Sequence, residues 1–356
     1  MLLEFMFDYA GAVHIHSKYS YDGNTSVEEI IKAAQRAGLD FIIISDHFRL
    51  DAKNAGWEGW HDNVFVLVGE EISPRYNHCV AVGIDKPIIA WRKSSKPQDY
   101  IDEVNRQGGL ALIAHPDHTG APKFGVNNYP WTDWTVKNYA AVSIWDLMTD
   151  WQEKLYSFGA ALFSFVFPGF VLSGPKAETL ARWDAMNSDF RSKVAGYGEV
   201  DNHNSLKRYF GFNFRIFPFD LSFSTIRTHV LLGEPLNRDV PAARKQLMNA
   251  IKSARLYVAQ EKWNKAKGFL FRIYDTAGTA FTGEELKLTD KPVRLEARIP
   301  KQGRLIVVRN GQVIEETRKM YVSIDIEKSG TYRIEAFQRK CGIYKPWIYS
   351  NPIWVI

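Results

Sequence analysis

Short β-rich apolar runs alternate with amphipathic stretches over the first two-thirds of this chain, and that alternation restricts the fold more than any other feature. The runs are Ala12–His16, Phe41–Ser45, Val64–Gly69, His78–Gly83, Leu110–His115, Ala140–Trp145, Val194–Gly198 and Thr228–Leu232. Most are about the length of one strand. Between the first two, Ser26-x-x-Glu29 forms a capping box ahead of Ile30, Ile31, Ala34 and Ala37 at helical spacing, and Gly38 supplies the stop. Similar patterns predict helices over Pro97–Arg106, Thr179–Arg191 and Pro241–Ala254. Thr119–Asn138, rich in Gly, Pro, Asn and Trp, reads as a long loop of the kind that shapes a site. Strands alternating with helices predict βα units on a parallel sheet, here taken over residues 1–265.

Beyond about Gly268 the pattern changes to short alternating strands with turns, among them Val293–Ile299, Arg304–Arg309, Gln312–Thr317, Tyr321–Ile326 and Thr331–Ala336. Asn310-Gly311 between two such runs is a strong two-residue hairpin signal. Residues 266–356 are therefore expected to form an all-β, immunoglobulin-like sandwich. A length of 356 residues suits one large domain and one smaller one. Hydrophobic residues at 46% and charged residues at 24% exclude extended disorder, and a net charge of +5 falls far short of a dedicated nucleic-acid binder.

Cys79 and Cys341 match no zinc or disulfide spacing, which fits a reducing compartment, and Met1–Gly11 has no basic region or apolar core of a secretory signal. A cytoplasmic location is the expectation. The most apolar stretch, Phe158–Leu172, is interrupted by Pro168 and Gly169 and falls short of the roughly 20 residues a span needs. No transmembrane segment is expected; the stretch reads as buried or interfacial, with shallow membrane contact as the outer alternative.

The chemistry lies in where nine histidines and a few carboxylates fall along these runs. His14 and His16 occupy alternate positions of the first predicted strand, so both imidazoles are expected on one side. Asp22-Gly23 follows in the next loop. The second run leads into Ser45-Asp46-His47, the third into Gly69-Glu70-Glu71, the next begins at His78, and the fifth ends Ala114-His115-Pro116. The seventh runs into Asp201-Asn202-His203. Strand ends gather at one face of a parallel barrel, and imidazole with carboxylate suits Zn, Mn or Fe. Buried together without a cation, these carboxylates would be costly.

This order of motifs, from H-x-H through Asp-Gly, Ser-Asp-His, Gly-x-Glu, a lone His and Ala-His-Pro to Asp-x-His, resembles the PHP (polymerase and histidinol phosphatase) family. The resemblance covers residues 12 to about 235 and implies a distorted (β/α)7 TIM-like barrel with two or three metal ions. It implies that His14, His16, Glu71 and Asp201 hold one ion, that Glu71 bridges to a second held by His78 and His115, and that Asp22, His47 and His203 hold a third. Two departures stand out. The last motif reads Glu199-Val200-Asp201-Asn202-His203, and Asp22 replaces a histidine found in some relatives. Glu70 beside Glu71 competes for the bridging position; Glu71 keeps the family's spacing from Gly69.

Other residues have two readings. Asp46 either orients a ligand imidazole or caps a strand end. His118 is a candidate for protonating a leaving oxygen. Lys18, Arg49, Arg75 and Arg227 are either phosphate clamps or solvated surface residues. His61 and His229 read as structural, and Trp131 and Trp134 as pocket cover or local packing. Together these readings imply hydrolysis of phosphate esters by a metal-activated hydroxide at a di- or trinuclear site, acting on a small phosphorylated substrate or nucleotide. No stable nucleic-acid complex is expected, and the C-terminal domain is open to a protein partner. The alternatives are a weakly active metal-bearing binding module and a nucleic-acid-processing nuclease.

Overall fold

A computed structural model describes residues 6–90, 95–190, 192–209 and 211–356. Every one of the apolar runs is a strand: β1 Phe7–Ile15, β2 Phe41–His47, β3 Val64–Ile72, β4 Cys79–Val82, β5 Leu110–Ile113, β6 Ala141–Asp146, β7 Ala195–Glu199 and β8 Ile226–Leu232. A further strand, β9 Leu256–Gln260, follows. In space the order is β9-β8-β1-β2-β3-β4-β5-β6-β7. The chain just beyond β7 returns to β1: Val200 donates its N–H to the Val13 carbonyl, His16 to that of Asn202, and Ile15 and Asn202 form a parallel bridge.

The sheet is mixed. Parallel pairing holds for β1–β2, β2–β3, β5–β6 and β6–β7, but β4 runs antiparallel to both neighbours and β8 antiparallel to β1. This corrects the expectation of a uniformly parallel sheet. The connection from β3 to β4 holds only Ser73–Asn77 and His78, too short for the crossover that parallel strands require. The strands are continuous apolar runs because both faces are covered. Ile42 and Ile44 pack with the helix residues Ile30 and Ala34, while Phe41 and Ile43 join Phe65 and Leu67 in a second cluster.

The helix Val27–Ala37 forms as its sequence dictates. Ser26 accepts the Glu29 N–H, Glu29 reaches back to the Ser26 N–H, and Gly38 closes the helix at φ 67°, a conformation that costs glycine little. Ser26→Ala is expected to cost about 1 kcal/mol. A thermal melt should register this as a fall of roughly 1–2 °C, whereas an unchanged midpoint would deny the cap any energetic role. The other predicted helices are Pro97–Arg106, Ala177–Asn187 and Val240–Lys252; Arg191, the predicted end of the second, lies outside the described residues. Thr119–Asn138 is a loop apart from the single 3-10 turn Pro122–Phe124.

The C-terminal strands extend the same sheet, since β9 pairs antiparallel with Ile343–Ser350. A second sheet of Leu270–Tyr274, Thr279–Phe281, Val293–Arg298 and Tyr321–Ile326 lies against it, and Leu295, Val307, Ile334 and Trp347 share the core between them. Asn310-Gly311 turns between paired Arg309 and Gln312 with both residues at positive φ. Across the two regions, the buried Arg333 forks onto Asp184 of the helix Ala177–Asn187 at 2.7 and 2.8 Å. Among the described residues no helix is long and apolar enough to cross a membrane. Phe158–Leu172, read from sequence as buried or interfacial, forms two short helices, Phe158–Val166 and Pro168–Val171, with most of the large side chains of the first turned to solvent.

Candidate metal centre

The strand ends deliver their polar residues to one place. Glu71, at the end of β3 and 1% exposed, lies at the centre. Its Oε2 sits 3.2 Å from His14 Nε2, 3.4 Å from His16 Nε2 and 3.0 Å from His47 Nδ1. Its Oε1 sits 2.7 Å from His78 Nδ1 and 3.3 Å from His115 Nε2. Asp201 Oδ1 lies 3.5 and 3.4 Å from His14 and His16 Nε2, and Asp22 Oδ2 lies 3.2 Å from both His47 and His203 Nε2. Three overlapping groups have ligand atoms close enough for a cation: His14, His16, Glu71 and Asp201; Glu71, His78 and His115; and His16, Asp22, His47 and His203. All nine residues singled out in the sequence are here, and His16 is shared by two groups.

Irregular backbone aims several of them. His14 does not reach the site by simple alternation, because the β1–β2 register slips between Val13 and Ile15 and His14 sits at φ 69°. His115 and Asp201 also take positive φ, at 25° and 40°. Such non-glycine conformations cost on the order of 1–3 kcal/mol each and persist where packing imposes them. His78 arrives by reversal of β4: being antiparallel, this strand begins where its neighbours end. Gly23 is required beside Asp22, since a Cβ there would lie 2.0 Å from the Ser17 carbonyl oxygen.

The donor set fits a cation. His14 Nδ1 is held 2.7 Å from Glu199 Oε2 and His78 Nε2 2.8 Å from the Pro74 carbonyl. Each contact fixes one nitrogen as the N–H donor and turns the other's lone pair inward. Among the described residues, buried His14 Nε2 and His16 Nε2 have no hydrogen-bond partner, a cost that a cation removes. The electrostatics agree. Burial would raise the Glu71 carboxyl, but His47, His14 and His78 hold it well below the usual carboxylate range. Burial would lower His47 and His115, yet Glu71, with Asp22 beside His47 and Asp201 near His115, pushes them up to about 10 and about 9. His16 goes the other way, to about 3, through burial and the neighbouring His203 and His47.

Glu70 and Glu71 are separated by the pleat. Glu70 is buried, accepts the Ile88 N–H at 2.7 Å and makes no contact with the cluster. Burial raises its carboxyl to about 8. A carboxyl raised in the folded state contributes stability that is complete below its unfolded value, near 4.3, and is lost as pH rises through about 8. Glu70→Gln is therefore expected to flatten this decline and to gain on the order of 1–3 kcal/mol at pH 8 relative to pH 5. Denaturant unfolding at the two pH values measures it; parallel pH profiles for the two proteins would sink the assignment.

The remaining sequence candidates fare unevenly. Asp46 accepts the Ser17 N–H at 2.6 Å and its hydroxyl at 2.8 Å, so it pins the loop after β1 and orients no imidazole directly. His118 has both nitrogens committed, to Gln152 Oε1 at 2.8 Å and the Tyr129 N–H at 3.1 Å, leaving none for a leaving group. Arg227 is buried and spent on the Phe223 and Ala37 carbonyls and on Glu261, which removes it as a phosphate clamp. Arg49 donates to the Tyr19 carbonyl at 2.8 Å. Arg75 holds Asn128 and lies 5.3 Å from the Tyr129 ring, which itself lies 5.2 Å from His78. Lys18 is exposed, its Nζ 5.6 Å from the Tyr19 ring. His61 and His229 bond the Trp57 carbonyl and Asp8, as structural histidines. Trp131 is buried and packs 6.4 Å from Trp134.

Two neighbours of the cluster were not singled out by sequence reasoning. Glu199 holds His14 and also accepts the His115 N–H; its signal was Glu-x-Asp-x-His at alternate positions. Tyr21 stacks on His47 at 4.8 Å, and an exposed tyrosine in a loop carries no signal of that.

Residues 12–129 match the PHP domain family model. Asp201 and His203 lie beyond the matched stretch, so the cluster draws on the matched residues and on a later part of the chain. An uncharacterized protein of Methanocaldococcus jannaschii is 30% identical over 118 residues, covering 29% of this chain; the chain spans 66% of that relative's length. Two solved structures resemble it loosely. One, from Bacteroides vulgatus, is a two-domain protein containing a predicted PHP-like metal-dependent phosphoesterase, with 13% identity, TM-score 0.42 and coverage of 98% of this chain and 95% of that one. The other, a candidate metal-dependent phosphoesterase from Bifidobacterium adolescentis, has 14% identity, TM-score 0.36 and coverage of 67% and 95%. Likenesses this distant leave the fold to be read from the chain's own hydrogen bonds.

Proposed function

We propose that this protein is a metal-dependent phosphoesterase. The observation carrying the reading is the sharing of Glu71 between two ligand groups, in the first of which the inward His14 Nε2 and His16 Nε2 have no hydrogen-bond partner among the described residues. His14, His16, Glu71 and Asp201 would hold one divalent cation, Glu71, His78 and His115 a second, and Asp22, His47 and His203, with His16 alongside, a third. Zn, Mn and Fe all suit such a set. Divalent cations held there would supply Lewis acidity, for generating hydroxide near neutral pH and for offsetting charge on phosphoryl oxygens.

The chain's own residues do the rest. Glu199 and the Pro74 carbonyl keep His14 and His78 in the tautomers that face the cluster. Asp46, through Ser17, steadies the loop that carries Asp22. Lys18 and Arg75 would contact phosphate oxygens, and no side-chain nucleophile is needed. A distorted (β/α)7 barrel over residues 1–265, with an immunoglobulin-like sandwich at 266–356, is the fold reading that accompanies this function.

The test is hydrolysis of phosphomonoesters, phosphodiesters and nucleotides by protein reconstituted with Mn, Zn or Fe, with His14→Ala alongside. Turnover that needs metal and disappears in His14→Ala is expected. Metal-loaded protein that cleaves none of these esters, or a His14→Ala variant at full rate, would overturn the reading.

A further inference from the structure

The helix Phe158–Val166 is packed inside out. Its one buried residue is Ser164, whose carbonyl accepts the Trp151 indole N–H, while Phe158, Leu162, Phe163, Phe165 and Val166 are 39–67% exposed. Phe167, just beyond it, is 52% exposed. A helix stabilised by burial in its own protein presents the opposite face. No charged residue interrupts the chain between Lys154 and Lys176, so nothing breaks the apolar surface. Contiguous exposure of this kind marks a surface that meets something apolar.

Its surroundings are basic. Lys123 donates to the Tyr156 carbonyl at 2.6 Å, and Phe124 packs on Phe158 at 5.7 Å. Lys345 lies 4.5 Å from the Phe170 ring, and Lys262 borders Gly169. Phe214 touches Phe165 edge-on at 5.6 Å, which brings up the hairpin of Leu206–Tyr209 and Phe212–Arg215 with Lys207, Arg208 and Arg215. Large apolar side chains bordered by lysine and arginine are the pattern of a segment lying in the interface of an anionic bilayer.

The place in the fold adds to this. The apolar helices follow the end of β6, and the basic hairpin follows the end of β7, the end that carries Asp201. Both project from the end of the sheet at which the metal-ligand candidates gather. We propose that the helix Phe158–Val166 and the adjoining Phe167, with the basic hairpin beside them, form a docking surface for an anionic lipid bilayer, inserting the exposed apolar side chains of that helix among the acyl chains. The inference stands independently of the phosphoesterase reading. It concerns a helix lying in the membrane surface, not one that crosses it.

Flotation with lipid vesicles tests it, using the full chain. Wild-type protein is expected to float with vesicles of phosphatidylcholine and phosphatidylserine, and at least tenfold less with phosphatidylcholine alone. Leu162→Glu combined with Phe167→Glu should reduce flotation at least tenfold with the circular dichroism spectrum unchanged. Lys207→Glu with Arg208→Glu should remove the preference for phosphatidylserine. Wild-type protein that stays with the lipid-free fraction would overturn the proposal, as would flotation unaffected by Leu162→Glu and Phe167→Glu. Self-association abolished by those substitutions, with no flotation, would assign the face to a second copy of the chain and equally overturn it.

Discussion

Glu71→Gln is expected to lower metal-dependent ester hydrolysis to below about a hundredth of the parent rate and to reduce the metal retained per chain. The reason is the geometry of a single carboxylate. Both oxygens are used, Oε2 toward His14, His16 and His47 and Oε1 toward His78 and His115. An amide keeps one acceptor and turns an N–H group toward imidazole nitrogens whose lone pairs are needed. Loss of a partner that merely orients a ligand costs roughly 10–100-fold in affinity or activity. Loss of a shared ligand should exceed that. Glu70→Gln is the matched control, since Glu70 faces Ile88 and should leave metal content unchanged. Elemental analysis of the two purified variants beside their rates makes the comparison. Equal metal content and rate in Glu71→Gln and the parent would remove Glu71 from the centre of the site.

Metal loading is expected to raise the unfolding temperature by about 3–5 °C for each site filled at a hundredfold excess over its dissociation constant. That excess adds about 2.7 kcal/mol per site, and a chain of this size shifts roughly 1–2 °C per kcal/mol. The gain should grow with pH. Without a cation, His47 and His115 are pushed up to about 10 and about 9, chiefly by Glu71 acting against their burial. Their contribution to the cation-free fold is complete below 6.5 and is lost as pH rises through those values. A cation binds the neutral imidazoles and must displace these protons. The temperature difference between loaded and chelator-treated protein should therefore widen from pH 6 to pH 8. Calorimetric titration in buffers of different ionisation enthalpy should register proton release. A stability gain independent of pH, with no protons released, would contradict this account of His47 and His115.

Local chemistry makes much of this molecule legible in its residue order. The capping box at Ser26 and Glu29 acts between neighbours in sequence, as does the two-residue turn at Asn310-Gly311, so both follow from residue types alone. The ligand candidates are legible for a related reason: a strand end places a His, Asp or Glu at the rim whatever the strand's partners are. All nine meet in the structure.

What depends on long-range packing is not legible in this way. The reversal of β4 carries His78 to the site, and strand direction is set by connection length and by neighbours far along the chain. The bulge that aims His14 at φ 69° departs from the regular pleat that its spacing suggests. Spacing from Gly69 already favours Glu71 over Glu70, but the physical reason, which face of β3 looks inward, comes from the packed sheet. Arg227 is lost to Glu261 and two carbonyls because a cation near a motif in sequence is free to point elsewhere in space. Glu199 supports His14 across 185 residues of chain. The sequence by itself determined the elements, their caps and turns and the inventory of ligands, since those depend on residues a few positions apart. Tertiary structure alone decided the direction of β4, the aim of each side chain and the outward face of Phe158–Val166, because these depend on pairings and packing between distant segments.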